Sequence, residues 1–219
     1  MKMKITKKRF VLITLFIFPL LFFLFLSTGI NSFEKLPILT ETVSDVQKED
    51  TSLKNQVTVL CFLGKEMDSK KGGFFNLNQK IYKEFYGYHS FQIIAVYPER
   101  YKEQADKLKS EIGAFTNMSR WRFVEMSEEG ISSLFLSLKT SESLDYDLYS
   151  NRAFLIDKNL NLRGRNDDKD AKDGKLFGYN MQSVAELNNK MEDDIKVLLY
   201  EYRAALKNRN KADRKELGL

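Results

Sequence analysis

Short unbroken runs of apolar residues alternate along this chain with longer stretches in which apolar residues have helical spacing. The unbroken runs 57–63, 91–97 and 152–157 predict buried strands, because a strand covered on both faces needs no polar alternation. The stretches between them place apolar residues on one helix face and therefore predict helices. The predicted helices span residues 76–88, 99–115 and 131–138, and a longer one spans residues 183–208.

The order of the predicted elements indicates the fold class. A short strand at 121–124 and a hairpin that ends at 162–165 complete the series β-α-β-α-β-α-β-β-α. Strands separated by helices at this spacing predict an α/β fold with a βαβ core and a mixed sheet. The late hairpin followed by a long C-terminal helix resembles the layout of thioredoxin-like proteins.

One apolar run, residues 10–30, is much longer than the others. Its roughly 21 residues would reach about 31 Å as a helix, which is the thickness of one hydrocarbon core. Five basic residues and no acid precede it, and such a charge bias keeps the N-terminus in the cytoplasm. We therefore expect a signal-anchor in the inner membrane, with the rest of the chain in the periplasm. A cleaved signal peptide is the alternative.

Charge is balanced beyond this N-terminal tip. The chain has 35 basic and 30 acidic residues, so subtracting the five tip residues leaves 30 of each. This distribution predicts no nucleic-acid partner. The single cysteine, Cys61, excludes an internal disulfide and any C-x-x-C motif, and the single histidine, His89, excludes a multi-histidine metal site.

These patterns divide the chain into five parts. The segment between the anchor and the first strand is polar and mixed in charge, but its "KLPILTET" stretch is a candidate edge strand. The parts are a basic cytoplasmic tip (1–9), a transmembrane anchor (10–30), a juxtamembrane linker (31–56), a thioredoxin-like domain (57–208) and a frayed tail (209–219).

Three sequence segments resemble one group of proteins. The segments "VTVLCFLG", "RWRFVEMSEEGISSLF" and "YSNRAFLIDKNLNLRGR" are similar to the first strand, the Trp-x-Phe strand and the late hairpin of the Sco/SenC group. The likeness is greatest to a branch associated with Bacteroidetes, in which "FLID…LRGR…DD" leads to "GYN…SVAELNNKM". The resemblance implies a membrane-anchored thioredoxin-like domain that handles copper and thiols during respiratory-oxidase assembly.

The residues that the resemblance assigns to the copper site are missing from this chain. The family carries a C-x-x-x-C pair in the loop after the first strand, and here that loop, residues 64–74, has no cysteine. Met67 and Asp68 stand near the place of the first thiolate, and Tyr149 stands at the place of the histidine ligand. Cys61 comes too early and falls within the strand.

The place of the cis-proline of active thioredoxins gives a second test. Arg152 and Ala153 stand there, and none of the three prolines does. A reactive thiolate needs exposure, a helix N-terminus or a nearby cation, and a cysteine inside a buried strand has none of these. We therefore expect no catalytic residue, no cofactor and no metal, and a Cys61 side chain that packs in the core.

The sequence favours a non-catalytic binding or assembly module with a degenerate active site. Its expected partners are the lipid bilayer, through residues 10–30, and an envelope or respiratory-complex protein. The alternative is a Sco-type copper chaperone or thiol oxidoreductase that uses Cys61 and Met67 as unusual ligands. Surplus aromatic residues, among them Phe74 and Tyr86, suggest an exposed contact patch. The residues of the candidate interaction loop are Met67, Lys70, Lys71, Gly72, Gly73 and Phe74.

A polar loop after the hairpin carries clustered charges. Its aspartates do not fit a calcium loop, because Ala171 stands where that loop needs glycine. We expect Arg163 and Arg165 to pair locally with Asp167 and Asp168.

Overall fold

The computed structural model describes residues 7–27, 35–46, 48, 51–171 and 173–216. The chain divides into two compact units, one that ends at Glu34 and one that begins at Lys35. In the first unit, helix α1 spans Lys7–Ser27 and contains Pro19. Residues 28–30 of the expected anchor lie outside the described residues. Within the described part of the chain, no helix is both long enough and apolar enough to cross a membrane.

The second unit alternates strands and helices and ends in a long helix. Its strands are β1 (Ile38–Thr40), β2 (Val57–Phe62), β3 (Phe91–Pro98), β4 (Trp121–Met126), β5 (Arg152–Ile156), β6 (Leu162–Arg163) and β7 (Tyr179–Asn180). Its helices are α2 (Met67–Leu77), α3 (Lys83–Phe85), α4 (Lys102–Gly113), α5 (Glu128–Ser137), α6 (Val184–Glu186) and α7 (Glu192–Glu216). Two π-helical segments, Asn78–Tyr82 and Leu187–Met191, precede α3 and α7.

The described strands form one mixed sheet in the order β1-β6-β5-β2-β3-β4, with β7 added beside β5. Strands β2, β3 and β4 are parallel, and β5 pairs antiparallel with β2. This order places β2 and β3 inside the sheet, where every residue of both strands is buried. Unbroken apolar runs suit strands that are covered on both faces. The prediction of an α/β fold with a mixed sheet is confirmed.

The sheet separates two hydrophobic cores. Alternate residues of β2 point to opposite faces, so Val59 and Cys61 enter one core while Leu60 and Phe62 enter the other. The first core is covered by α2, α4, α7 and both π-helical segments. The second core is covered by α5 and by residues between β1 and β2.

Residues expected in a linker belong to the second unit. Strand β1 pairs antiparallel with β6, at the edge where "KLPILTET" was expected to form a strand. Beyond β1, the side chains of Val43, Val46 and Leu53 are buried in the second core. These apolar residues are spread among polar ones without periodicity, so the pattern gave little sign of their burial. At the other end of the unit, helix α7 continues to Glu216, into the segment expected to be frayed.

A buried arginine ties the start of this unit to its end. Arg163 contacts Asp157 at 3.0 Å and Glu201 at 2.9 Å, and its Nε donates to the Leu36 carbonyl at 2.9 Å. The Leu36 N–H donates in turn to Glu201 Oε1 at 2.7 Å. Arg165 pairs with Asp194 on α7 at 2.8 Å. The expected pairing of these arginines with Asp167 and Asp168 is wrong, because Asp157, just after β5, and carboxylates of α7 reach them instead.

Candidate functional site

The site lies at the carboxyl end of β2, where parallel strands of an open α/β sheet commonly present their functional residues. Gly64 follows the strand with a φ of +69°, in the left-handed region that favours glycine. A Cβ atom on Gly64 would lie 2.6 Å from the Cβ of Tyr149, so only glycine fits at this position. Leu63 pairs with Tyr149 through an isolated β-bridge. Tyr149 is thus pressed against the turn that leads into α2.

Helix α2 begins at Met67, so the loop expected over 64–74 is for the most part helical. Gly72 and Gly73 resemble a turn in the sequence, yet both lie inside the helix. Gly73 serves close packing, because a Cβ there would lie 3.0 Å from both the Cβ of Met181 and Nε2 of Gln182. Glycine in a helix costs roughly 1 kcal/mol relative to alanine, and tertiary contact overrides that preference here.

The two sulfur-bearing residues are enclosed by the protein. Cys61 is fully buried in β2, and Met67 is 1% exposed at the start of α2. Both side chains belong to the same hydrophobic core. Burial raises the pKa of the Cys61 thiol far above its ordinary value, because the thiolate would be desolvated without a compensating cation. Cys61 is therefore a protonated thiol at neutral pH.

Lys70 carries the charge at the centre of the site. Its ammonium lies 2.5 Å from Asp147 Oδ2 and 2.9 Å from Asp145 Oδ2, and it stands 4.4 Å from the centroid of the Tyr149 ring. Burial alone would lower the pKa of Lys70, but the hydrogen bonds to both carboxylates outweigh burial and raise it. Asp147 is 2% exposed, and its Oδ1 has no hydrogen-bond partner among the described residues. The lysine thus remains a fixed cation.

The other charged residues of α2 are paired with α4. Asp68 lies 2.7 Å from Lys107, and Lys71 lies 2.9 Å from Glu111. The hydrogen bond from Lys107 lowers the pKa of the Asp68 carboxyl, and an acid in the first turn also suits the positive end of the helix. The lysines of the expected interaction loop are therefore engaged within their own chain.

The aromatic residues proposed for a contact patch separate into two groups. Phe74 is fully buried, and its ring meets the Tyr149 ring edge-on at a centroid distance of 6.3 Å. Met67 and Gly73 are buried as well. Tyr86, by contrast, is 43% exposed. Phe74 cannot take part in an exposed patch, whereas Tyr86 can.

Arg152, which stands where active thioredoxins have a cis-proline, is fixed by ion pairs. Arg152 lies at the start of β5, 3.1 Å from Glu186 and 3.4 Å from Glu142. Ala153 follows it and pairs with Tyr179 of β7. Strand β7 brings Met181 and Gln182 against Gly73 of α2. The backbone that faces α2 is therefore fixed by side-chain packing.

Comparison with known proteins identifies the fold. No family model matches the chain, and no curated protein matches it. A solved structure of a proposed protein disulfide isomerase from Bacteroides thetaiotaomicron matches at 12% identity, with a TM-score of 0.51. The alignment covers 78% of this chain and 98% of that one. The chain has a thioredoxin-like fold.

Two other solved structures match with TM-scores below 0.5. The thioredoxin domain of a thiol-disulfide oxidoreductase from Bacteroides vulgatus is 17% identical with a TM-score of 0.41, and the alignment covers 74% of this chain and 98% of that one. The soluble domain of Sco1 from Bacillus subtilis is 17% identical with a TM-score of 0.43, covering 74% of this chain and 94% of that one.

The residues around Lys70 do not fit copper, the metal that the Sco resemblance implies. Copper(I) prefers soft thiolate and thioether ligands together with imidazole. The residues that surround Lys70 are carboxylates and a phenol, and the one thiol, Cys61, lies inside a strand. Among the described residues, no group of three or more His, Cys, Asp or Glu side chains could hold a metal ion.

The sequence did not indicate the two aspartates that bind Lys70. Asp145 and Asp147 lie 75 and 77 residues beyond Lys70, and no local pattern connects positions so far apart. Their alternation in "DYDLY" was the one available signal, because it places two carboxylates just before Tyr149. The resemblance did direct attention to Tyr149.

Proposed function

We propose that this chain is a membrane-anchored, extracytoplasmic thioredoxin-like domain that acts as a non-catalytic binding or assembly module. One observation carries the proposal: the only thiol of the chain, Cys61, is fully buried and its pKa is raised by burial. A thioredoxin-like protein that exchanges disulfides needs an accessible thiolate. A domain that keeps the fold without this group is suited to binding.

The other groups of the site are also held in unreactive forms. Burial raises the pKa of Tyr149, so its phenol stays protonated at neutral pH. The raised pKa of Lys70 keeps its ammonium protonated, which excludes it as a nucleophile or general base. The pKa shifts of Cys61, Lys70 and Tyr149 thus all favour the protonated form of the group.

The N-terminal sequence supports the proposed location. The apolar run 10–30 is preceded by five basic residues, which favours a cytoplasmic N-terminus and an exported domain. The lipid bilayer is then a partner through residues 10–30, and the second partner is an envelope or respiratory-complex protein. Protease added to spheroplasts should digest the domain, and alkaline washing should leave the full chain in the membrane. Release by alkali would contradict the anchor.

A second candidate function rests on sulfur chemistry. Cys61 and Met67 lie in one hydrophobic core, and a thiol with a thioether is a soft donor set that suits copper(I). A Sco-type copper chaperone or thiol oxidoreductase with these unusual ligands is therefore the alternative.

One experiment separates the two candidates. The full chain in detergent micelles is treated with Ellman's reagent, with and without denaturant, and is titrated with copper(I) against a chelating dye. We expect native Cys61 to react at least about a thousandfold more slowly than in the unfolded chain, since labelling requires the core to open. We also expect no stoichiometric copper. Rapid labelling, or tight copper binding that Cys61→Ala abolishes, would overturn the proposal in favour of the alternative.

A further inference from the structure

Residues 145–149 form a tightly held turn beside Lys70 of α2. Asp145 Oδ1 accepts hydrogen bonds from the N–H groups of Tyr149 at 2.8 Å and Asp147 at 3.3 Å. The backbone of Asp145 bonds to Tyr149 and Leu148 at 3.0 and 3.1 Å, and Leu148 has a φ of +65°. Lys70 holds the Asp145 and Asp147 side chains together. The turn is therefore fixed from within and from α2.

Tyr146 lies at the tip of this fixed turn, and its side chain is 85% exposed. Asp145 and Asp147, the residues on either side, are the two that Lys70 binds. An exposed ring on a rigid backbone loses little conformational entropy when a partner covers it. Tyrosine is also one of the residues that most often dominate binding at protein interfaces. Tyr146 thus has the properties of a preorganised anchor.

The charge beside Tyr146 selects the chemistry of the partner. Residues 142–147 contain three acids and no base. Lys70 serves two of these acids, Asp145 and Asp147, and Arg152 is divided between Glu142 and Glu186. Lys65, whose charge also acts on Asp147, is itself paired with Glu128 at 2.7 Å. Five carboxylates thus share three cations. The side chains of Asp145 and Glu142 remain 37% and 32% exposed, so this excess of acid faces solvent.

We propose that Tyr146, with Asp145 and Glu142, is the docking surface for a basic segment of a partner protein. A guanidinium of that segment would stack on the Tyr146 ring by a cation–π contact and would bond to the Asp145 carboxylate. An excess of acid disfavours acidic peptides, nucleic acid and anionic lipid at the same surface. This inference rests on the proposed function and names the chemistry of its partner.

The test follows the Tyr146 ring directly. The full chain, labelled with 3-fluorotyrosine, is placed in phosphatidylcholine nanodiscs and titrated with the peptide Gly-Arg-Gly-Arg-Gly. A matched peptide with citrulline at both arginine positions keeps the shape and removes the charge. We expect a saturable shift of the Tyr146 fluorine resonance with arginine and roughly three- to tenfold weaker binding with citrulline. The resonance is assigned by its loss in Tyr146→Phe.

Variants locate the surface. Tyr146→Ala and Asp145→Asn should each weaken arginine-peptide binding by roughly three- to tenfold, measured by isothermal titration. Tyr86→Ala removes a half-exposed tyrosine elsewhere in the domain and should leave binding unchanged. Equal binding of the citrulline peptide, or a loss seen with Tyr86→Ala but not with Tyr146→Ala, would overturn the docking surface.

The same preparation distinguishes this inference from the proposed function. Cys61 labelling is measured on every variant alongside peptide binding. Failure of peptide binding while Cys61 stays protected overturns the docking surface alone. Rapid Cys61 labelling in the unaltered chain overturns the proposed function, whatever the peptide does.

Discussion

The Lys70 ammonium stands over the Tyr149 ring, 4.4 Å from its centroid. Tyr149 occupies the place that the Sco resemblance gives to a metal-binding histidine. A side-chain cation and an aromatic face therefore meet at a position where the family resemblance implies a metal and its ligand. This contact joins α2 to the 145–149 turn, so its removal should destabilise both segments.

The Lys70 contacts should stabilise the fold measurably. Lys70→Met leaves the Asp147 carboxylate, which is 2% exposed, without its cation. We expect a loss of about 2 kcal/mol in the free energy of unfolding, since an unpaired buried charge is costly. Urea unfolding of the full chain in detergent micelles measures it. Lys71→Met is the matched control, because Lys71 is 38% exposed and its pair with Glu111 should contribute no more than about 0.5 kcal/mol. An equal loss of stability in Lys70→Met and Lys71→Met would contradict the stabilising role of the Lys70 contacts.

The same cluster predicts a pH dependence of stability. Burial would raise the pKa of Asp145, but hydrogen bonds with Asp147, Lys70 and the Tyr149 N–H outweigh it and lower that pKa. Its contribution is therefore present above pH 3.8, the ordinary value, and is lost as the pH falls further. The raised pKa of Lys70 gives a contribution that is present below pH 10.5 and lost as the pH rises further.

Unfolding measured across this range should thus show a plateau with losses on both flanks. The double variant Lys70→Met/Asp145→Asn removes both groups, so its stability should change less at each flank than that of the unaltered chain. Identical flanks in the two proteins would show that other residues control the pH dependence.

Gly64 should tolerate no side chain. Gly64→Ala would combine a φ of +69° with a contact of 2.6 Å to the Tyr149 Cβ. We expect a loss of about 2–4 kcal/mol, measured by urea unfolding. Gly87→Ala is the control, because no atom lies within 4 Å of the place its Cβ would take and alanine restricts the unfolded chain. Gly87→Ala should be neutral or slightly stabilising, and a small cost at Gly64 would mean that the turn can move.

Arg163 should not be replaceable by lysine. Its guanidinium reaches Asp157, Glu201 and the Leu36 carbonyl together, and a single ammonium cannot satisfy all three. Arg163→Lys should cost about 2–3 kcal/mol of unfolding free energy. The exposed Arg203→Lys should change stability by less than about 0.5 kcal/mol. A lysine that restores full stability at position 163 would show that charge alone matters there.

The central strands could be predicted because their signal is local. Unbroken apolar runs over β2 and β3 indicate burial on both faces, and both strands are buried throughout. Ser127 is the N-cap of α5 and accepts a hydrogen bond from the Gly130 N–H, and serine is one of the residues preferred at that position. Local composition was sufficient for these elements.

Helix α2 and the partners of Lys70 could not be predicted because their causes are distant in sequence. Gly72 and Gly73 favour a turn locally, yet both lie inside a helix, where Gly73 packs closely against Met181 and Gln182. The sequence identified Lys70 as a charged residue of the candidate interaction loop. Only the fold brings Asp145 to it.

The hydrogen bonds of Leu36 with Glu201 and Arg163 have a mechanical consequence. Leu36 is bonded through its N–H to Glu201 on α7 and through its carbonyl to Arg163 on β6, just before β1 begins. A pulling force that arrives at Lys35 from the N-terminal side would therefore load α7 and the sheet at once, rather than peel β1 away strand-end first. The hydrogen bonds of Leu36 thus resist a force applied at Lys35, and the first rupture under load should involve Arg163.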